Sequence, residues 1–283
     1  MKDPSSPAAP IRRPAVAGTF YPAEPARLSR MVDSFLAEAK PQTSVRPKAL
    51  IAPHAGYLYS GPIAGSAFVH WSDAGKTVRR VVLLGPAHFV PFEGLALSHA
   101  ETWATPLGDI AVDRATIAQL ATLPQVSFLD EAHEQEHSLE VELAFLQRLL
   151  ADFTIVPVVI GDADPDQVSE VIERLWGGPE TAFVISSDLS HYFDYATACG
   201  VDRATAAAIE ALKPEDIQPH QACGRRAIQG LLQVARGRRM RVARADLRNS
   251  GDTAGRKDRV VGYGAFTFCE AGTPPAPTSR PAT

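Results

Sequence analysis

Three short apolar runs in this chain each lead into a histidine. Residues 48–52 (KALIA) run into Pro53-His54, residues 80–84 (RVVLL) into Gly85-Pro86-Ala87-His88, and residues 182–186 (AFVIS) into Ser187-Asp188-Leu189-Ser190-His191. Each run is short and mostly apolar or β-branched, the signature of a strand buried on both faces. A single histidine is more often a surface or core residue with satisfied nitrogens than a ligand. Three imidazoles placed two to five residues past three of the expected strands are a different matter. If the strands are parallel, His54, His88 and His191 gather at one rim of a sheet, where histidines from separate loops can converge on a metal ion. Neutral imidazole suits Zn, Fe and Cu. Nearby Gly56, Gly61, Gly65 and Gly85 are expected to let backbone approach that site closely.

Two histidines need a third ligand. Asp252, in the segment Asn249-Ser250-Gly251-Asp252, can supply a carboxylate, and two histidines plus a carboxylate with open positions is the pattern of non-haem Fe(II) oxygenases. A turn role beside glycine is the competing reading of Asp252. Asp188 and Glu140 are rival carboxylates, and Asp188 can instead orient an imidazole. His133-Glu134-Gln135-Glu136-His137 matches HExxH, but that motif binds zinc only with both histidines on one helix face. Helical periodicity begins only at Leu139, with Ser138 as a cap, so residues 133–137 read as loop and a zinc peptidase is not favoured. His137 and Glu140 are still placed to line the pocket. The sequence contains no GxSxG elbow, Walker A sequence or GxGxxG loop.

The elements that must position these residues alternate. Further strands are expected at 154–160, 239–245 and 260–268, and helices at 25–39, 113–123, 139–150, 166–176, 202–212 and 223–235. The pattern predicts one α/β domain over residues 11–269, with a mostly parallel central sheet flanked by helices on both faces. Open sheets of that kind bind ligands beyond the carboxyl ends of their strands. Residues 1–10 and 270–283, rich in Pro, Ser, Thr and Ala, are expected to be disordered tails.

Composition narrows the class. A net charge of −4 gives no electrostatic reason for a nucleic-acid or acidic-membrane partner. No apolar stretch approaches the length needed to span a bilayer, and a polar, Pro-rich start lacks the apolar middle of a signal peptide, so a cytoplasmic protein is expected. Cys199, Cys223 and Cys269 form no CxxC pair and read as buried, inert thiols.

Residues 13–22 (RPAVAGTFYP), 53–62 (PHAGYLYSGP), 84–88 (LGPAH), 136–140 (EHSLE), 186–191 (SSDLSH) and 259–266 (RVVGYGAF) together resemble the ordered motif set of the MEMO family. Its prokaryotic members are also called AmmeMemoRadiSam system protein B. The resemblance spans nearly everything between the tails. It implies a fold similar to the class III extradiol dioxygenases and a metal pocket at His54 and His88, with His191 nearby. Animal members carry a cysteine as third ligand in the loop before the last strand. The matching stretch here has no cysteine, and Asp252 stands as the substitute. A hard carboxylate in place of a soft thiolate shifts preference from Cu(I) toward Fe(II), with Cu or Zn still open. Family association also points to radical-SAM and AMMECR-type proteins as partners.

The expected function is therefore a metal-binding protein, in one form a non-haem Fe(II) oxidoreductase of dioxygenase type. His54, His88 and Asp252 hold the ion, His191 acts as acid or base, Asp188 and Tyr57 orient imidazole or substrate, and His137 and Glu140 line the pocket. The alternatives are a non-catalytic adaptor that binds metal, small molecule or peptide in the same pocket, and a metal-assisted hydrolase.

Overall fold

A computed structural model describes residues 10–41 and 45–271. The expected tails, apart from Pro10, Glu270 and Ala271, lie outside the described residues. The chain opens with β1 (Ile11–Arg12), α1 (Pro25–Glu38), β2 (Ala49–Ala52) and α2 (Tyr57–Phe68). It continues through β3 (Arg80–Pro86), β4 (Leu95–Leu97), β5 (Thr102–Thr105), β6 (Gly108–Ala111), α3 (Arg114–Leu120), β7 (Val126–Phe128) and the short α4 (Glu131–Glu134). Next come α5 (Leu143–Leu149), β8 (Thr154–Ile160), α6 (Pro165–Arg174), β9 (Thr181–Ser186) and β10 (His191–Phe193). The last elements are α7 (Tyr195–Glu210), α8 (Arg225–Gly237), β11 (Arg241–Asn249) and β12 (Val260–Cys269).

Nine strands form the main sheet in the order β10-β12-β2-β9-β3-β8-β4-β7, with β11 also paired to β12. The inner strands β2, β9, β3 and β8 are mutually parallel. Their residues are almost all fully buried, as expected when both sheet faces are covered. The sheet is mixed rather than mostly parallel, because the β11–β12 hairpin joins β2 antiparallel and β4 joins β8 antiparallel. A separate small sheet, β1-β5-β6, carries the N-terminal strand. One contiguous apolar core links all of these layers.

Helix α2 escapes a periodicity reading because it carries Gly61, Pro62 and Gly65 and is apolar on most of its surface. Its glycines serve helix packing rather than the metal pocket. A Cβ on Gly61 would lie 2.3 Å from the Phe35 ring of α1, and one on Gly65 would lie 2.8 Å from the Phe35 carbonyl oxygen. The α1–α2 crossing therefore requires a bare backbone. The helix expected over 139–150 starts instead as a 3-10 turn, Glu140–Glu142, before α5.

Gly65→Val is expected to lower stability by about 1–3 kcal/mol through overpacking against Phe35. Gly200→Ala, at an exposed α7 position where an added Cβ meets nothing within 4 Å, is expected to raise it by about 0.5–1 kcal/mol. Urea denaturation of both variants checks the contrast; equal midpoints would remove the close-approach argument.

Candidate metal centre

The parallel register fixes where the histidines emerge. Ala52 pairs with Ser186, and Leu84 pairs with Ile185, so β2, β9 and β3 end together at one edge. His54 follows β2 by two residues, His88 follows β3 by two, and His191 follows β9 by five. The His54 and His88 rings meet edge to face with centroids 5.2 Å apart.

The third member of the group is Cys223, whose Sγ lies 3.4 Å from His54 Nε2. One ligand atom from each of His54, His88 and Cys223 falls within 4.8 Å of the others. Cys223 is half-buried in the turn before α8 and is held on the loop after β9: its amide donates to the Asp188 carbonyl, and the Gly224 amide donates to Ser187 Oγ at 2.9 Å. A Cβ on Gly224 would sit 2.7 Å from both the Ser186 carbonyl oxygen and Ser187 Cβ, so only glycine lets this turn reach the sheet edge.

This placement corrects two expectations. Cys223 is not a fully buried thiol: it is half-buried and lies beside His54. Asp252 is not part of the group, because its carboxylate accepts from the Asn249 amide at 3.0 Å and from Tyr195 Oη at 2.7 Å, in a 3-10 turn. It also lines a different cavity, with Cys199, Asp202 and three arginines. A CxxC search detects ligands that share one loop; here the thiol comes from a loop far along the chain. The signal available was the Cys223-Gly224 pair directly before an amphipathic helix.

Each imidazole is oriented from behind. Glu136 accepts from His88 Nδ1 at 2.8 Å, from the His88 amide at 2.6 Å and from the Ser138 amide at 2.9 Å. Burial opposes ionisation of Glu136, but the hydrogen bonds and charge of His88 outweigh it and bring its pKa down to about 2. A carboxylate on Nδ1–H leaves His88 Nε2 as the ligand atom. His191 donates Nδ1–H to the Leu189 carbonyl at 2.8 Å, so its Nε2 carries the free lone pair. A register shift in β10 and a positive φ of 64° at Tyr192 aim this segment. His54 Nδ1 meets Ser186 Oγ at 2.8 Å.

The pocket disfavours the charged forms of His54, His137 and His191. Burial first, then the neighbouring His88, His137 and His191, pushes the pKa of His54 well below the ordinary value. Burial and then His88 bring His137 to about 4, and His191 is lowered by the same two causes. Burial followed by the Asp188 charge pushes the Cys223 thiol up to about 12. Asp188, itself raised to about 7 by burial, accepts from the His54 amide at 2.9 Å and so orients backbone rather than imidazole.

The remaining expected site residues divide. His137 lies in the pocket, its ring stacked on His88 at 4.7 Å and edge-on to His54 at 5.5 Å. His133 faces elsewhere: its Nε2 meets the Ala96 carbonyl at 3.0 Å beside Trp103. The two histidines of the HExxH match therefore point apart, although residues 131–134 form a helical turn rather than the expected loop. Tyr57 is buried and donates to the Val141 carbonyl at 2.6 Å, with no free hydroxyl for a substrate. Glu140 is fully engaged in joining the N-terminal segment to the domain, accepting from Arg12, Tyr21 Oη and the Ala15 and Val16 amides.

Beyond His88 and Cys223 a cavity of 310 Å³ opens, walled by Phe89, Pro91 and Phe92, with Arg226 and Asp162 also in its lining. Fold and pocket together define an α/β protein with a His/His/Cys cluster at the carboxyl edge of a mixed sheet. The family model described as Memo-like protein matches residues 12–267. A MEMO1 family protein of Sulfolobus acidocaldarius is 36% identical over 284 residues, covering 91% of this chain and 99% of that relative. One from Aquifex aeolicus is 32% identical over 272 residues, with coverage of 91% and 99%. The chain belongs to the Memo-like protein family.

Glu140→Gln is expected to cost about 3–5 kcal/mol by leaving Arg12 buried without its partner, with metal uptake by the folded variant unchanged. Urea denaturation and a metal titration read the two separately. Loss of uptake at unchanged stability would return Glu140 to the site.

Proposed function

We propose that this chain is a mononuclear metal protein that holds its ion with His54 Nε2, His88 Nε2 and the Cys223 thiolate, and acts on a small, largely apolar ligand in the adjoining cleft. The observation that carries the reading is the convergence of one ligand atom from each of these three residues within 4.8 Å. Three protein ligands and an open side are what catalytic metal sites share. The cleft at the cluster, lined by Phe89 and Phe92, is of a size and polarity for a small molecule.

The donor set decides between metals. With Asp252 engaged elsewhere, the one cluster of two histidines and a carboxylate among the described residues is His88, His137 and Glu136. Its carboxylate is already taken up by His88 Nδ1 and the Ser138 amide, which weakens the reason to favour Fe(II). Two imidazoles and a thiolate favour a softer ion, so Cu(I) and Zn(II) rank ahead of Fe(II). Held by these residues, an ion would supply Lewis acidity or one-electron exchange. The protein's own residues supply the rest: Glu136 orients His88, and His191, with Nε2 left free, would accept a proton from a ligand hydroxyl. The likeness to class III extradiol dioxygenases is part of this reading as an oxidoreductase, and a metal-assisted hydrolase is the form it takes if the ion is zinc. Three free cysteines suit a reducing, cytoplasmic compartment; among the described residues no helix is long and apolar enough to cross a membrane.

Cys223→Ser is expected to weaken binding of added cobalt(II) severely, while Asp252→Asn binds like the parent. The opposite pattern, in an equilibrium titration followed by thiolate-to-metal absorption, would reinstate the carboxylate site. The sign of the pH dependence follows from the raised thiol pKa. Metal-free Cys223 is protonated at neutral pH and must lose that proton to bind, so affinity rises with pH, by about tenfold per unit between about pH 7 and 9. A flat profile measured by competition titration would exclude the thiol as a ligand.

A further inference from the structure

Ser186 Oγ has three polar neighbours at hydrogen-bond distance: His54 Nδ1 at 2.8 Å, the Ser138 carbonyl oxygen at 2.6 Å and Glu142 Oε1 at 2.8 Å. All four residues are essentially inaccessible to solvent. A hydroxyl carries one proton and two lone pairs. The Ser138 carbonyl can only accept, so at 2.6 Å it takes the hydroxyl proton. Turning that proton toward either other neighbour would leave two bare oxygens facing each other at that separation. The two remaining contacts must then run into Ser186: His54 donates from Nδ1–H, and Glu142 donates from a protonated Oε1.

A second observation reaches the same state of Glu142 by another route. Its side chain is completely buried, and its other oxygen, Oε2, has no hydrogen-bond partner. Among the described residues no lysine, arginine or histidine is paired with it. An ionised carboxylate with one oxygen bare and no counter-charge is far costlier to bury than the unpartnered carbonyl oxygen of a neutral acid. Burial, and the Asp188 carboxyl nearby, push the Glu142 pKa well upward in accord with this.

We propose that Glu142 is held as a neutral carboxylic acid and, through Ser186, locks the His54 imidazole in the Nδ1–H tautomer, leaving the Nε2 lone pair toward Cys223. Glu142 is thus a positioning residue for the metal centre. The consequence for binding rests on His54 being a ligand, but the tautomer and the protonation state do not. Three carboxyl groups around one pocket then have three tasks. Glu136, ionised, orients His88; Asp188 holds the His54 backbone; Glu142, neutral, sets the ring.

The test uses the metal-free full chain. Long-range proton–nitrogen correlation NMR of histidine-labelled protein at neutral pH is expected to show His54 with Nδ1 protonated and Nε2 bare. Infrared spectra are expected to show a protonated-carboxyl band that Glu142→Gln removes. Because the Gln amide still donates to Ser186, this variant keeps the tautomer and binds cobalt(II) within about threefold of the parent, whereas Ser186→Ala loses the tautomer preference and about 10–100-fold in affinity. An Nε2–H tautomer in the parent, or an infrared spectrum unchanged by Glu142→Gln, overturns the proposal. If that variant fails to fold, the parent's tautomer alone decides. The expected tautomer in a protein that binds no metal would sink the metal reading and leave this inference standing.

Discussion

The pocket depends on the register of β9 between β2 and β3. Ser186 closes that strand, aligned with Ala52, and its side chain reaches the ring of His54. Ser187 and Asp188 continue from it and receive the Cys223–Gly224 turn. A slip of one residue along β9 would turn the Ser186 side chain to the opposite face of the sheet. It would also carry the receiving loop away from the turn that delivers the thiol. Because the inner strands are buried on both faces, such a slip would also force each side chain into packing shaped for another, and the same close packing that stabilises the fold keeps the candidate ligands aligned.

Electrostatics follow from that burial. Taking the imidazoles out of water disfavours their charged forms, and their mutual proximity adds to the effect. The acids respond according to their neighbours. Glu136 receives three N–H groups and stays ionised; Asp188 receives backbone amides and lies near 7; Glu142 receives no N–H donor and is raised well above the usual range. Residues of one chemical type thus acquire separate tasks from their surroundings alone.

The inner strands and the positions of His54 and His88 were legible in the sequence because short apolar runs bounded by Pro and Gly have few other readings. The antiparallel edges were less so: β4, β5, β6, β7 and β10 are three or four residues long, below any useful period. Helix α2 was hidden by glycines that exist for its contact with α1. Asp252 was read as a ligand because Asn249-Ser250-Gly251-Asp252 looked like a site loop, whereas Asp252 caps its own turn. Glu140 and Tyr57 were read as site residues because they neighbour site histidines in sequence. Both face inward, where Arg12 and the Val141 carbonyl take up their polar groups. Cys223 was missed because nothing local in sequence distinguishes a lone cysteine that a distant loop receives.

The half-buried position of Cys223 beside an open cleft has a chemical cost as well as a use. A sulfur that an ion can reach is also within reach of peroxide, and oxidation beyond the sulfenic stage would abolish the site for good. Its high pKa is the safeguard, since the reactive species is the thiolate and almost none is present before an ion arrives. In the proposed site, loading with metal would create the thiolate and shield it in the same event.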